Sequence, residues 1–500
     1  MISSDWIFLG VFFVALLSLV LIAELLRIWL KWPPESSRKF VHVFTGIVVS
    51  VTPFVLQSMW PMVVLGTLFA VFDFFAIQKN FMRGMHNTRR KTFGTVFYPL
   101  SFVILVFLLW EHDKLILVTA MLIMAIADAL AAVVGEKATK PIHINFGFED
   151  KTVQGSLTMF AATFCLVAGI LFLFPQLTDS VYTGVQIFWI AAVVAIIATA
   201  CEIISLKGSD NLTVPLGSAF VMQYMLHHSI NDGLLFTLGL ILSLIVALLS
   251  FRLKFLDTGG SIGAFLLGTL VFGVGRWPFT VPILTFFILS SVLSKIGKKN
   301  KKKFTAVFEK TGKRDIWQVL ANGGLAGLLV LLWNYYPSDI FYVLFISALA
   351  AVTADTWGTE IGVLSKKDPV SILNFKPVAK GSSGGITLIG TAGSLFGAFI
   401  LVMVGFYFSP HSSPHVIGRV EFIILLASGL LASLVDSLLG ATVQAKYSCT
   451  VCHKVTEKLK HCGRHTTLIG GYKWINNDVV NFCCALSGIL FVYVFWSIWH

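Results

Sequence analysis

Apolar residues run in blocks of roughly twenty along the chain, from Trp6 to the C-terminus, with polar residues confined to short breaks between them. An α-helix rises about 1.5 Å per residue, so about twenty residues cross the ~30 Å hydrocarbon layer of a bilayer. The pattern predicts about sixteen helical segments. Eight fall at 6–30, 40–57, 61–78, 93–110, 115–135, 155–174, 185–205 and 213–229, and eight at 233–251, 258–275, 279–295, 316–334, 340–364, 384–408, 420–443 and 479–499. The glycine-rich segment 258–275 also fits a re-entrant path. The first block is too long, and too poor in a cleavage site, for a removed signal peptide. The expected fold is all-α, a polytopic transmembrane helical protein in two related halves, 1–230 and 231–500. The halves meet near residues 230–252 without a Pro- or Ser-rich linker.

Composition supports this reading. The chain is 56% hydrophobic and 12% charged, against about 25% charged in soluble domains. The net charge of +12 could suggest nucleic acid, but its distribution excludes it. With the N-terminus outside, all Lys and Arg except Lys114, Arg276 and Arg419 fall on cytoplasmic loops and adjoining helix ends, as the positive-inside rule requires. The segment Lys295–Arg314 holds nine of them. It reads as a solvated orientation signal, or as a surface for phosphates or anionic lipid.

Several segments carry chemistry that a span does not need. Asp128 lies inside an apolar block, followed by Gly135 and then by Lys151-Thr152-Val153-Gln154-Gly155-Ser156. Asp355 and Glu360 have the same setting, followed by Gly362 and then by Lys380-Gly381-Ser382-Ser383-Gly384-Gly385. Burying a bare carboxylate is expensive, so an intramembrane acid suggests function. A lysine with Gly, Ser and Thr at a helix start suits phosphate binding, although neither stretch is a Walker A sequence. Glu202 and Asp210-Asn211 close the first half's set, and by position Asp436 and Asn477-Asp478 parallel them. Grouped acids at helix ends could hold a hard divalent cation or serve as independent caps. Arg38, Lys39 and His42 place cations and a titratable ring near a membrane surface, and Arg89-Arg90-Lys91 adds three cations before another helix. Both clusters fit orientation signals as well as phosphate contacts.

Seven cysteines show no secreted disulfide framework. Cys165, Cys201, Cys483 and Cys484 sit in apolar blocks and read as packing residues. Cys449, Cys452, Cys462 and His465 share loop 444–478, an insertion relative to the first half. They form a candidate structural Zn²⁺ site, with reduced thiols as the alternative.

Residues 30–220 resemble the phytol kinase and dolichol kinase family through Arg38-Lys39 with His42, Gly94 with Tyr98, Asp128 with Gly135, Lys151-Thr152 with Gly155-Ser156, and Asp210-Asn211-Leu212-Thr213-Val214-Pro215. The family's usual Gly before the aspartate is Ala127 here. Residues 250–490 resemble the phytyl-phosphate kinase family through Asp257-Thr258-Gly259-Gly260, Asp355-Thr356-Trp357 with Glu360-Ile361-Gly362, Lys380-Gly381 with Gly384-Gly385, Asp436-Ser437 with Gly440-Ala441-Thr442, and Asn477-Asp478. The double resemblance implies a natural fusion. It would convert an isoprenoid alcohol to a monophosphate and then a diphosphate, with CTP or another nucleoside triphosphate as donor.

The expected catalytic groups are His42, Asp128, Glu202 and Asp210 in the first half, and Asp355, Glu360, Asp436 and Asp478 in the second. Mg²⁺ is expected at Asp128 and Glu202, and at Asp355 and Asp436. Expected phosphate contacts are Arg38, Lys39, Arg90, Lys151, Thr152, Gly155, Ser156 and Asn211, then Lys295, Lys380, Ser382, Ser383, Gly384 and Asn477. The expected location is a bacterial-type inner or organellar membrane, with both sites facing the cytoplasm. Two rivals share these features: a cytidylyltransferase acting on a lipid phosphate, and a transporter.

Overall fold

The computed structural model describes residues 2–79, 92–144, 151–178, 180–296, 313–410 and 416–499. The chain divides into two compact units, Met1–Leu234 and Leu235–His500. The first unit contains α1 (Ile2–Trp29), α2 (Pro34–Val55), α3 (Trp60–Gln78), α4 (Gly94–Leu109), α5 (Lys114–Leu122), a π-helical turn (Ile123–Ala127), α6 (Asp128–Lys137), the strand pair β1 (His143–Ile144) and β2 (Lys151–Thr152), α7 (Val153–Leu173), α8 (Gly184–Ile203) and α9 (Asp210–His227). After α10 (Ile230–Arg252) come α11 (Thr258–Lys295), α12 (Ile316–Tyr335), α13 (Asp339–Gly362), β3 (Val370–Ser371), β4 (Gly385–Ile386), α14 (Leu388–Tyr407) and α15 (Arg419–Thr442). A small lobe of β5 (Lys446–Ser448), β6 (Val455–Thr456), β7 (Lys460–His461), β8 (Arg464–His465) and β9 (Thr467–Gly470) precedes α16 (Asn477–Trp499).

Thirteen described helical stretches are long and apolar enough to cross a membrane. The longest, α11, breaks at Arg276, whose backbone is left-handed (φ 58°). A straight helix of its 38 residues would run about 57 Å. Instead the Lys295 ammonium at its end donates to the Leu253 carbonyl just before its start, at 2.7 Å. It is therefore a hairpin of two passes. With the shorter α4 and the less apolar α9, the described residues contain sixteen helical rods, in agreement with the sixteen apolar blocks.

Each unit is built around its acid-bearing helix. The passes Lys114–Lys137 and Asp339–Gly362 are the most buried candidate spans of their units. In α13, Ala348, Ala350, Ala351 and Ala354 are fully buried, and such small side chains let neighbouring helices approach closely. Leu234, Leu238, Ile241, Ile245 and Leu248 instead leave one side of α10 exposed, as a surface in contact with lipid requires.

Helix ends in the first unit fall into two sets. One end joins Lys39 to Glu136 at 2.7 Å, and the Phe93 amide to the Lys207 carbonyl at 2.8 Å. The other joins Asp5 to the Ser58 amide, Lys114 to the Pro53 carbonyl, and His227 to Asp113. Asp128, Lys151, Glu202 and Asp210 all belong to the first of these ends.

Candidate active sites

In the first unit, the end of the central helix and the starts of its neighbours converge. The π-helical turn Ile123–Ala127 widens the helix directly before Asp128. Such turns leave a carbonyl without its usual i+4 partner, and here the Met124 carbonyl lies 3.2 Å from Nε2 of His42. As donor to that carbonyl, Nε2 is unavailable as a base. The His42 ring also packs on Tyr98, with centroids 4.6 Å apart.

Three helix ends meet at Lys151. Its ammonium bonds Glu202 at 2.6 Å and Asp210 at 3.5 Å, with Asp128 also within electrostatic reach. Burial pulls the ammonium's pKa down, but Asp210, Glu202 and Asp128 outweigh it, and the net shift is upward. Ser156 donates to Glu202 and Ser205 to Asp210. Asn211 donates to Asp210 and to the Gly208 carbonyl. The lysine therefore neutralises a buried carboxylate cluster. Arg38 lies within electrostatic reach of Asp128 and His42. Lys39 instead bonds Glu136, and Arg90 lies outside the described residues.

In the second unit a cavity of about 790 Å³ opens at the end of α13. Asp355, Glu360, Asp436, Lys295, Lys380, Ser382, Ser383, Gly384 and Asn477 line it, as do Lys254, Lys313, Arg314, Gln444 and Glu457. Its size falls within the usual range for small-molecule sites. Asp355 and Asp436 come from neighbouring helices and lie within electrostatic reach of each other, and Oδ2 of Asp436 is buried with no hydrogen-bond partner among the described residues. Paired carboxylates with an unsatisfied oxygen suit a shared proton or a divalent cation. Burial draws the Arg314 guanidinium's pKa down, against the attraction of Glu360.

One local arrangement recurs in both units. Gly135 and Gly362 each follow their aspartate by seven residues. Thr152 caps α7 by accepting from the Gly155 amide at 3.1 Å, and Thr387 caps α14 by accepting from Gly390 at 3.0 Å. A Cβ on Gly155 would lie 3.0 Å from the Ala131 carbonyl, and one on Gly390 would lie 2.9 Å from the Gly358 carbonyl. Ala131 and Gly358 each stand three residues after their aspartate. Both helix pairs thus approach through glycine at matching positions, each entered through a short antiparallel strand pair.

These caps revise the expected match of lysines. Lys151 directly precedes its capping threonine, whereas Ile386 precedes Thr387. Lys380 lies in the β3–β4 loop, where its ammonium donates to the Ser365 carbonyl at 2.8 Å. Lys295 is likewise engaged, with its ammonium on the Leu253 carbonyl and 3.8 Å from the Phe255 ring centroid. Asp478 is buried in the first turn of α16 but does not line the cavity, unlike its neighbour Asn477. Arg314 and Glu457 are cavity residues that the spacing argument misses. Glu457 left a sequence signal, as the one acid between Gln444 and Trp474 in an otherwise basic loop.

The cysteine lobe gathers Cys449, Cys452, His461 and Cys462, with ligand atoms all within 4.8 Å of one another. The histidine is His461 rather than the expected His465. His465 is exposed on β8, beyond the Cys462–Gly463 turn, and is not part of the cluster.

The site and fold together define an integral membrane protein with buried polar centres at helix ends. The chain belongs to the integral membrane protein family DUF92, whose description matches residues 241–489. It is 34% identical to Protein PGR of Arabidopsis thaliana over 282 residues, 51% of this chain and 96% of that protein. Identity to phytol kinase of Synechocystis sp. is 33%, covering 43% of this chain and 90% of the relative. Protein VTE6, chloroplastic, of Arabidopsis thaliana is 28% identical, covering 45% of this chain and 61% of that protein. No solved structure matches the chain.

Proposed function

We propose that the protein is a membrane kinase of isoprenoid alcohols and their monophosphates, with one site in each unit. The observation that carries this reading is the recurrence of a half-buried aspartate, a glycine-mediated helix contact and a threonine-capped helix, each beside further acids and cations. The similarity to a phytol kinase supports the substrate class. A prenol dissolves in the bilayer with its hydroxyl near the interface, so a site at a helix end meets it there.

Phosphoryl transfer depends largely on positioning and charge neutralisation. Asp128, Glu202 and Asp210 would hold Mg²⁺ in the first unit, and Lys151 would exchange its carboxylate contacts for nucleotide phosphate. In the second unit Asp355 and Asp436 would hold Mg²⁺, a role that suits Oδ2 of Asp436, which has no hydrogen-bond partner among the described residues. Arg314, Lys380 and the Ser382–Gly384 turn would face the phosphates. The bound ion would supply charge neutralisation between donor phosphates. CTP is the proposed donor, and both sites would face the cytoplasm.

Purified protein in detergent, given CTP, Mg²⁺ and phytol, geranylgeraniol or farnesol, should yield mono- and diphosphates by mass spectrometry. A CMP adduct with released pyrophosphate would indicate a cytidylyltransferase. Substrate flux in proteoliposomes without nucleotide consumption would indicate a transporter.

A further inference from the structure

We propose that Cys449, Cys452, His461 and Cys462 bind one Zn²⁺ ion, and that this ion folds the lobe that presses Glu457 onto the Ser382–Gly384 turn. Two of the ligand separations are already close to those of a tetrahedral site. Nδ1 of His461 lies 3.4 Å from the Cys452 sulfur and 3.2 Å from the Cys462 sulfur. Zn–S bonds of about 2.3 Å and Zn–N bonds of about 2.0 Å place tetrahedral S and N ligands roughly 3.5 Å apart. The Val451 amide donates to the Cys449 sulfur at 3.4 Å, a backbone contact that favours thiolate. Three sulfurs and one imidazole select Zn²⁺ over hard, oxygen-seeking cations.

The lobe buries few large apolar side chains, Tyr447 among them. Val451, Val455, Leu459, Leu468, Ile469 and Tyr472 are exposed. Left-handed backbone at His453, Cys462 and Gly463 sharpens its turns, and L side chains resist that conformation. So small a segment needs a metal or another cross-link to hold one shape. The ion's consequence reaches the cavity through Glu457, which is 8% exposed. Its Oε1 accepts from the Ser383 hydroxyl at 2.7 Å and from the Gln444 amide at 3.0 Å. Zinc here would be a structural brace, distinct from the divalent ion proposed for Asp355 and Asp436.

Metal analysis of the full-length protein in detergent tests the site without any substrate. We expect one zinc per chain in the wild type and in H465A, and little in C452S/C462S. Replacement by Co²⁺ should give thiolate charge-transfer bands and the strong ligand-field absorption of a tetrahedral site. A wild-type protein without zinc, with iron in its place, or with a disulfide among the three cysteines would overturn the proposal. So would retention of zinc by C452S/C462S. Hydrogen exchange before and after stripping zinc from the wild type tests the brace without a variant. Exchange in residues 380–387 should rise at least tenfold, and an unchanged rate there would refute the link through Glu457. Loss of kinase activity plays no part in either readout, so failure here and failure of the kinase reading are separable.

Discussion

Gly384 offers the sharpest single-atom perturbation of the second site. It adopts φ +83°, and an added Cβ would lie 2.7 Å from both the Ala441 Cα and the Ser437 carbonyl. In Gly384→Ala, left-handed backbone costs an L residue about 1–2 kcal/mol. Overpacking against α15 adds about 1–3 kcal/mol. Because the obstacles are backbone atoms of a helix, the turn must lift away. A total of about 2–5 kcal/mol lowers the docked-to-undocked equilibrium constant by about 30-fold to several thousand-fold, at about 1.36 kcal/mol per decade. The assay supplies CTP and Mg²⁺ with either prenol or prenyl monophosphate and resolves products by mass. Diphosphate formation should fall by up to that factor, while prenol phosphorylation stays within about twofold. If the variant makes diphosphate at the wild-type rate, the turn does not position phosphate and that part of the site is wrong.

Other perturbations follow from the same geometry. Lys151→Met leaves buried Glu202 and half-buried Asp210 without their cation. It should destabilise the first unit by about 3–5 kcal/mol, measured by thermal unfolding in detergent, and should abolish prenol phosphorylation. Gly390→Ala places a Cβ 2.9 Å from the Gly358 carbonyl. It should cost about 1–3 kcal/mol and lower the unfolding midpoint, whereas Gly169→Ala, with open space around it, should not. Asp315 and Gln318 form a reciprocal capping box at the start of α12. Asp315→Ala should cost about 1 kcal/mol, seen as a small drop in the midpoint.

The helices were legible because a bilayer demands long apolar blocks, and a charged residue inside one is conspicuous. Even the break in α11 is visible as Arg276-Trp277-Pro278 between two apolar stretches. Asp128, Asp355 and Asp436 stand out for the same reason. Pairing was harder to read, because it depends on how helix ends converge. Nothing in the spacing says that Lys151 bonds Glu202 and Asp210, 51 and 59 residues away. The Lys151–Lys380 equivalence fails because the loop before Thr387 is longer than the one before Thr152, so similar acid-to-lysine offsets reach different places. His461 and His465 are indistinguishable by spacing alone. The turn at Cys462 and Gly463, both at positive φ, separates the two histidines, and His461 is the one within the cluster.

The claim of two successive phosphoryl transfers meets its most direct test in Asp128→Asn and Asp355→Asn, each assayed with prenol, CTP and Mg²⁺. Loss of all product from prenol in the first variant, with prenyl monophosphate still converted, and arrest at monophosphate in the second are the predicted results. Diphosphate formed from prenol by both variants would contradict it.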